Sequence, residues 1–63
     1  MEKIIYNAIR CKKCGQVIES RYRHELVYCR CRSCAVDGGK DYLRRLFVEK
    51  DCYEEISITE EKR

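Results

Sequence analysis

Six cysteines stand in 63 residues, as Cys11-x2-Cys14, then Cys29-x-Cys31-x2-Cys34, with Cys52 alone. Two residues between a cysteine pair let the chain curl while its backbone N–H groups face the sulfurs, a knuckle suited to one zinc ion. Fourteen residues separate Cys14 from Cys29, the reach of a paired-knuckle site. The second pair is open on spacing alone. Cys31 and Cys34 have the standard interval, whereas Cys29 ends an apolar run that would deliver it to the metal, and no glycine follows either Cys31 or Cys34. The expected cofactor is one structural Zn2+, bound by thiolates from both knuckles. Cys52 reads as a free or half-buried small hydrophobe and not as a ligand.

Other cysteine chemistry fits less well. An even count would suit three disulfides, but the polar start Glu2-Lys3-Ile4-Ile5-Tyr6 does not read as a secretory leader. A cytoplasmic location is therefore expected, where thiols stay reduced and metal is favoured. A redox Cys11-x-x-Cys14 would need a helix start and a βαβ setting, and neither is visible. Catalytic zinc keeps a position open, yet enough cysteines exist to close the site, so no enzymatic role is expected. His24, the only histidine, reads as a loop residue.

The elements that must position these thiols are short. Residues 4–10 suit a strand, with Ile5 and Ile9 on one face if an irregularity absorbs Tyr6 and Asn7. Gly15 closes the first knuckle. Residues 16–19 run outward and 25–28 return around a polar tip, Ser20 to His24. Asp37-Gly38-Gly39 is a strong turn signal. Asp41 suits the cap of a short helical turn over residues 42–45, although 43–48 suits a strand equally. Leu46 and Val48 are expected to pair with Ile56 and Ile58 in a second hairpin. The fold class is small and mostly β: zinc-ribbon-like antiparallel hairpins with at most a short helical turn. Residues 1–59 would form one domain and 60–63 a frayed tail. So small an aliphatic supply makes a marginal core without a staple.

Charge is uneven. Residues 1–36 hold eight basic and three acidic residues, +5, and residues 37–63 hold six and eight, −2. The basic half contains Lys12, Lys13, Arg21, Arg23, Arg30 and Arg32, with Tyr22 and Tyr28 able to stack on bases, which is the nucleic-acid alternative. The leading expectation is a protein partner, host or cognate, at Asp37, Asp41, Tyr42, Leu43, Arg44 and Arg45, because aromatic and arginine side chains carry much interface energy. No apolar run approaches the roughly 20 residues of a membrane span, so no membrane partner is expected. Either a monomer or a small homo-oligomer suits these features.

Asn7 to Gly15, Ile18-Glu19-Ser20, Arg23-His24 and Val36 to Arg45, with the run Asp-Gly-Gly-x-Asp-Tyr-Leu-Arg-Arg, resemble a family of small uncharacterised proteins from phages and low-GC Gram-positive bacteria. The resemblance covers roughly residues 7–45. Its second knuckle, Cys-x-Cys-Gly, maps onto Cys29, Cys31 and position 32, and so implies Cys11, Cys14, Cys29 and Cys31 as ligands with Cys34 as the alternative. This chain departs from the pattern twice, with Arg32 in place of glycine and Cys34 additional. A phage accessory protein acting on host machinery is compatible with the resemblance, which implies no activity.

Overall fold

The computed structural model describes residues 2–61. Eight short strands run in order: β1 (Glu2–Tyr6), β2 (Ala8–Cys11), β3 (Val17–Glu19), β4 (Val27–Tyr28), β5 (Cys34–Asp37), β6 (Arg44–Phe47), β7 (Tyr53–Glu55) and β8 (Ile58–Glu61). Every pairing is antiparallel. A ribbon β1-β8 continues into a sheet β3-β2-β7, and a second sheet is ordered β4-β5-β6. There is no helix among the described residues, and thus none long and apolar enough to cross a membrane. This is a small zinc-ribbon-like β fold.

The single strand expected over residues 4–10 is two strands broken at Asn7. The irregularity is real, with a register shift between Ile4 and Tyr6, but it parts Ile5 from Ile9. Ile5 is 39% exposed, while Ile9 is fully buried. The partner chain breaks opposite, between β7 and β8. There the Ser57 hydroxyl accepts from the Ala8 N–H at 3.0 Å and donates to the Ala8 carbonyl at 3.1 Å, standing in for a ladder bond.

Of the two courses left open after Asp41, the strand is the one taken, and no helical turn covers residues 42–45. The Gly38 carbonyl accepts from the N–H groups of Asp41 and Tyr42, at 3.0 and 3.2 Å, and the chain then enters β6. Strand pairing with β5 takes the backbone groups that a helix would have used. Nor do Leu46 and Val48 pair with Ile56 and Ile58, because β6 pairs with β5, β7 with β2 and β8 with β1. Glu60 and Glu61, expected in the tail, belong to β8 opposite Lys3 and Glu2; positions 62–63 lie outside the described residues.

The core explains the cysteine content. Its buried cluster is Ile9, Ile18 and Val36 with Cys11, Cys29, Cys34 and Cys52. Only three of its seven members are aliphatic, and the other four are thiols. The interior of this domain is the thiol cluster itself.

Candidate metal centre

Cys11 ends β2, and the chain turns sharply after it. The Gly15 N–H donates to the Cys11 carbonyl at 2.8 Å and the Cys11 N–H to the Gln16 carbonyl at 2.9 Å, while the Cys14 N–H points at the Cys11 sulfur, 3.5 Å away. Gly15 follows the second cysteine at φ +78°. The second knuckle repeats the device. The Arg32 N–H donates to the Cys29 carbonyl at 2.9 Å, and Arg32 follows Cys31 at φ +58°, the left-handed region that glycine enters without strain. The Arg30 N–H donates to the Gln16 side-chain oxygen at 2.5 Å and ties the knuckles together.

This geometry brings the sulfurs of Cys11, Cys14, Cys29 and Cys31 within 4.8 Å of one another, close enough to chelate a metal ion. The Cys31 sulfur lies 3.6 Å from those of both Cys11 and Cys29. A tetrahedral zinc with bonds near 2.3 Å has sulfur–sulfur edges of about 3.8 Å, so the donor set and its size fit the ion. Cys11 and Cys29 are buried, Cys14 is half-buried and Cys31 is exposed.

The surroundings favour thiolates at three of the four. The N–H groups of Gln16 and Cys31 hold Cys14 below the ordinary thiol value. The Ser33 hydroxyl and N–H do the same for Cys31. Burial pushes Cys29 up, but the Cys34 N–H and neighbouring thiols outweigh it and bring Cys29 down. The Cys14 N–H favours the Cys11 thiolate, yet burial and adjacent thiols leave Cys11 raised.

Cys34 sits behind this group in β5, buried, with its sulfur 3.8 Å from that of Cys29. Burial drives its thiol up, and the neighbouring Cys11 and Cys29 add to that. Cys52 is buried 3.6 Å from the Ser33 carbonyl and outside the four-sulfur group.

A second node, unforeseen from the sequence, lies beyond the core. Asn7 is fully buried, and its side-chain N–H2 donates to the carbonyls of Asp37, Gly39 and Tyr42 at 3.1, 2.8 and 3.2 Å. Its oxygen accepts from Arg45 at 2.8 Å. The Arg45 guanidinium, with its side chain 9% exposed, also holds both Glu55 oxygens at 2.7 and 2.5 Å and Ser57 at 2.7 Å. Ser20 completes the node by accepting from the Gly39 N–H at 2.9 Å and donating to the Glu25 carbonyl at 2.7 Å. The one signal of this node in the sequence is a polar Asn7 between residues suited to a strand.

This node uses much of the segment expected to meet a protein partner. Asp37 is buried and accepts from the Gly38 N–H at 2.8 Å. Arg44 lies 3.6 Å from Asp37, and Asp41 lies 3.8 Å from Arg23. Tyr42 is half-buried with its hydroxyl 3.3 Å from His24, and Leu43 is exposed. Of the basic residues, Lys13 pairs with Glu49 and Arg21 with Glu19, while Lys12, Arg30 and Arg32 are exposed near the metal end. The Tyr22 ring is exposed, but its backbone packs against Gly39.

That packing predicts a graded glycine series. A methyl on Gly39 would sit 2.3 Å from the Tyr22 carbonyl carbon at φ +54°, whereas one on Gly15 would meet nothing within 4 Å. Gly39→Ala is expected to cost about 3 kcal/mol, overpacking plus left-handed strain, and Gly15→Ala about 1 kcal/mol. Zinc-saturated thermal melts check the order.

The chain has no match among curated proteins or among solved structures. The profile of one family matches residues 3–47, about seven tenths of the chain, taking in Asn7, both knuckles and the glycine turn. The chain therefore belongs to the family described as a domain of unknown function (DUF7695), here a small β-rich domain carrying a cysteine cluster able to chelate a metal.

Proposed function

We propose that Cys11, Cys14, Cys29 and Cys31 hold one structural zinc ion, and that the folded module is a non-catalytic adaptor docking on a partner protein. The observation that carries this reading is the convergence of four sulfurs within 4.8 Å of one another. Four thiolates fill the coordination sphere and leave no place for a substrate or a reactive water. The ion, when bound, supplies cross-linking between two distant knuckles.

The docking surface is narrower than the segment expected from sequence. Asp37 and Arg45 shape it from within, and Tyr42, Leu43 and Arg44 present it outward. An exposed leucine beside an arginine and a half-buried tyrosine is a reasonable anchor for a protein surface. The resemblance to phage and Gram-positive proteins suits an accessory protein acting on bacterial host machinery.

Native mass spectrometry should give one zinc per chain. A partner captured from bacterial lysate should be lost on Leu43→Asp combined with Arg44→Glu while zinc content is unchanged. Undiminished capture by that variant would refute the docking surface, and a zinc-free wild-type chain would refute the module.

A further inference from the structure

Cations fall into two groups. Arg10, Lys13, Arg21, Arg23, Arg44 and Arg45 each pair with a carboxylate. Among the described residues, no carboxylate pairs with Lys3, Lys12, Arg30, Arg32, Lys40 or Lys50. Lys3 lies in β1 and Lys40 donates to the Ile5 carbonyl; the other four belong to the metal end. Lys12, Arg30 and Arg32 lie on the knuckles, and the loop carrying Lys50 is tied to them by bonds from Lys12 N–H to the Cys52 carbonyl and from Val48 N–H to the Ser33 carbonyl, both 2.9 Å.

Exposed aromatic rings gather at the same end. Tyr28 is 46% and Phe47 50% exposed, and Phe47 lies 5.5 Å from the half-buried Tyr53, ring centre to ring centre. Two open depressions share Phe47: Tyr28, Arg32 and Leu46 line one, and Lys50 and Tyr53 line the other. The Arg32 guanidinium stands 5.8 Å from the centre of the Tyr28 ring. Arg32 is held there at a backbone angle of +58°, where a non-glycine residue is strained. The knuckle needs that backbone angle, which closes the bond from the Arg32 N–H to the Cys29 carbonyl, but it does not need an arginine side chain there. The side chain forms no ion pair among the described residues and is exposed to solvent.

We propose that this surface binds single-stranded nucleic acid, with bases stacking on Phe47 and Tyr28 and phosphates meeting Arg30, Arg32 and Lys50. Ring faces accept any base, but only one that is unstacked, and an unpaired cation gains more from a phosphate than one already neutralised. Exposed apolar rings alone would suit a peptide equally; the flanking unpaired cations favour the polyanion. The site needs the folded zinc module but none of Tyr42, Leu43 or Arg44, so it stands or falls apart from the protein-docking reading.

The test is fluorescence anisotropy of the zinc-loaded full chain with labelled oligo-dT and oligo-U, roughly ten nucleotides long. Single strands should bind at about 50 mM salt, with a log–log salt slope near −2 for three phosphate contacts. A duplex of equal length should bind less well, and the two arms decide between DNA and RNA as the better ligand. Phe47→Leu, which keeps apolar contact with Tyr53, should weaken binding about tenfold. Arg30→Gln with Lys50→Gln should weaken it and flatten the slope by more than half, whereas Arg21→Gln with Arg23→Gln, an equal charge loss elsewhere, should not. Arg32→Gly separates function from stability: it should raise Tm by roughly 4–8 °C through relief of strain and still weaken binding. Zinc content is checked throughout, because Arg30 and Arg32 also flank the thiolate cluster. The exposed Arg30 and Lys50 pair remains decisive if the Phe47 variant fails to fold. No binding of either oligonucleotide at low salt, equal binding of the duplex, or equal damage from the Arg21 and Arg23 variant would each overturn the proposal. Retained binding by the Leu43 and Arg44 variant is expected.

Discussion

Cys11→Ser is expected to yield a chain that neither retains zinc nor folds cooperatively, and exhaustive chelation of the reduced wild type should reproduce that state. Four of the seven buried residues in the core cluster are cysteines, and Cys11 is itself fully buried where β2 meets the first knuckle. A serine there removes one donor and leaves a hydroxyl facing three sulfurs. Structural zinc contributes about 10–16 kcal/mol in small peptide sites at neutral pH, more than a domain of this size otherwise holds in reserve. Near-UV circular dichroism and zinc content, followed together, measure the effect. Cys52→Ser is the control and should keep one zinc, because its sulfur lies outside the group of four. Acid should act in the same direction as a chelator. Cys14, Cys29 and Cys31 are held below the ordinary thiol value, so their contribution is complete above that value and is lost as pH falls through the folded one. A reduced, metal-stripped chain that still melts cooperatively would remove the basis for the whole site.

The second large effect is expected at a residue with no part in metal binding. Asn7→Ala deletes, at a fully buried position, an amide whose two N–H groups serve the carbonyls of Asp37, Gly39 and Tyr42 and whose oxygen accepts from Arg45. Each stranded buried group costs about 1–3 kcal/mol, and water entering the space left by the amide recovers part of it. A net loss of about 3–5 kcal/mol, enough to unfold much of the population at 37 °C, follows for so small a domain. Zinc-saturated denaturant titration checks it. Asn7→Asp is the sharper comparison, since it keeps the Arg45 contact but turns a carboxylate oxygen toward three carbonyls. It should be at least as damaging as alanine. A loss below about 1 kcal/mol for both variants would show that the turn is held by its glycines and not by this amide.

These expectations differ in how visible they were along the chain. The Cys11–Cys14 knuckle, the turn at Gly38–Gly39 and the β character of the fold are written in local spacing. Two cysteines three positions apart, or glycine at a positive φ, impose their geometry wherever they occur. The other half of the metal site was legible only as three thiols for two places. Its Cys29 and Cys31 members join the cluster because Arg32 accepts a left-handed backbone while β5 carries Cys34 inward. The role of Arg45 was hidden for a similar reason. As a sequence it is half of an exposed Arg-Arg pair. In the fold it is the buried one, gripped by Glu55, Ser57 and Asn7.

The chain by itself determined that a scant aliphatic supply needs a staple and that Cys11 and Cys14 form one knuckle able to hold an ion, because those are matters of composition and of contacts within a few residues. Only the tertiary structure decided which strands pair, which thiols meet and which charges remain unpaired. Strand partners stand as far as 59 positions apart, and the Cys11 and Cys31 sulfurs 20. At that distance the competing pairings look alike locally, and closing one of them excludes the rest.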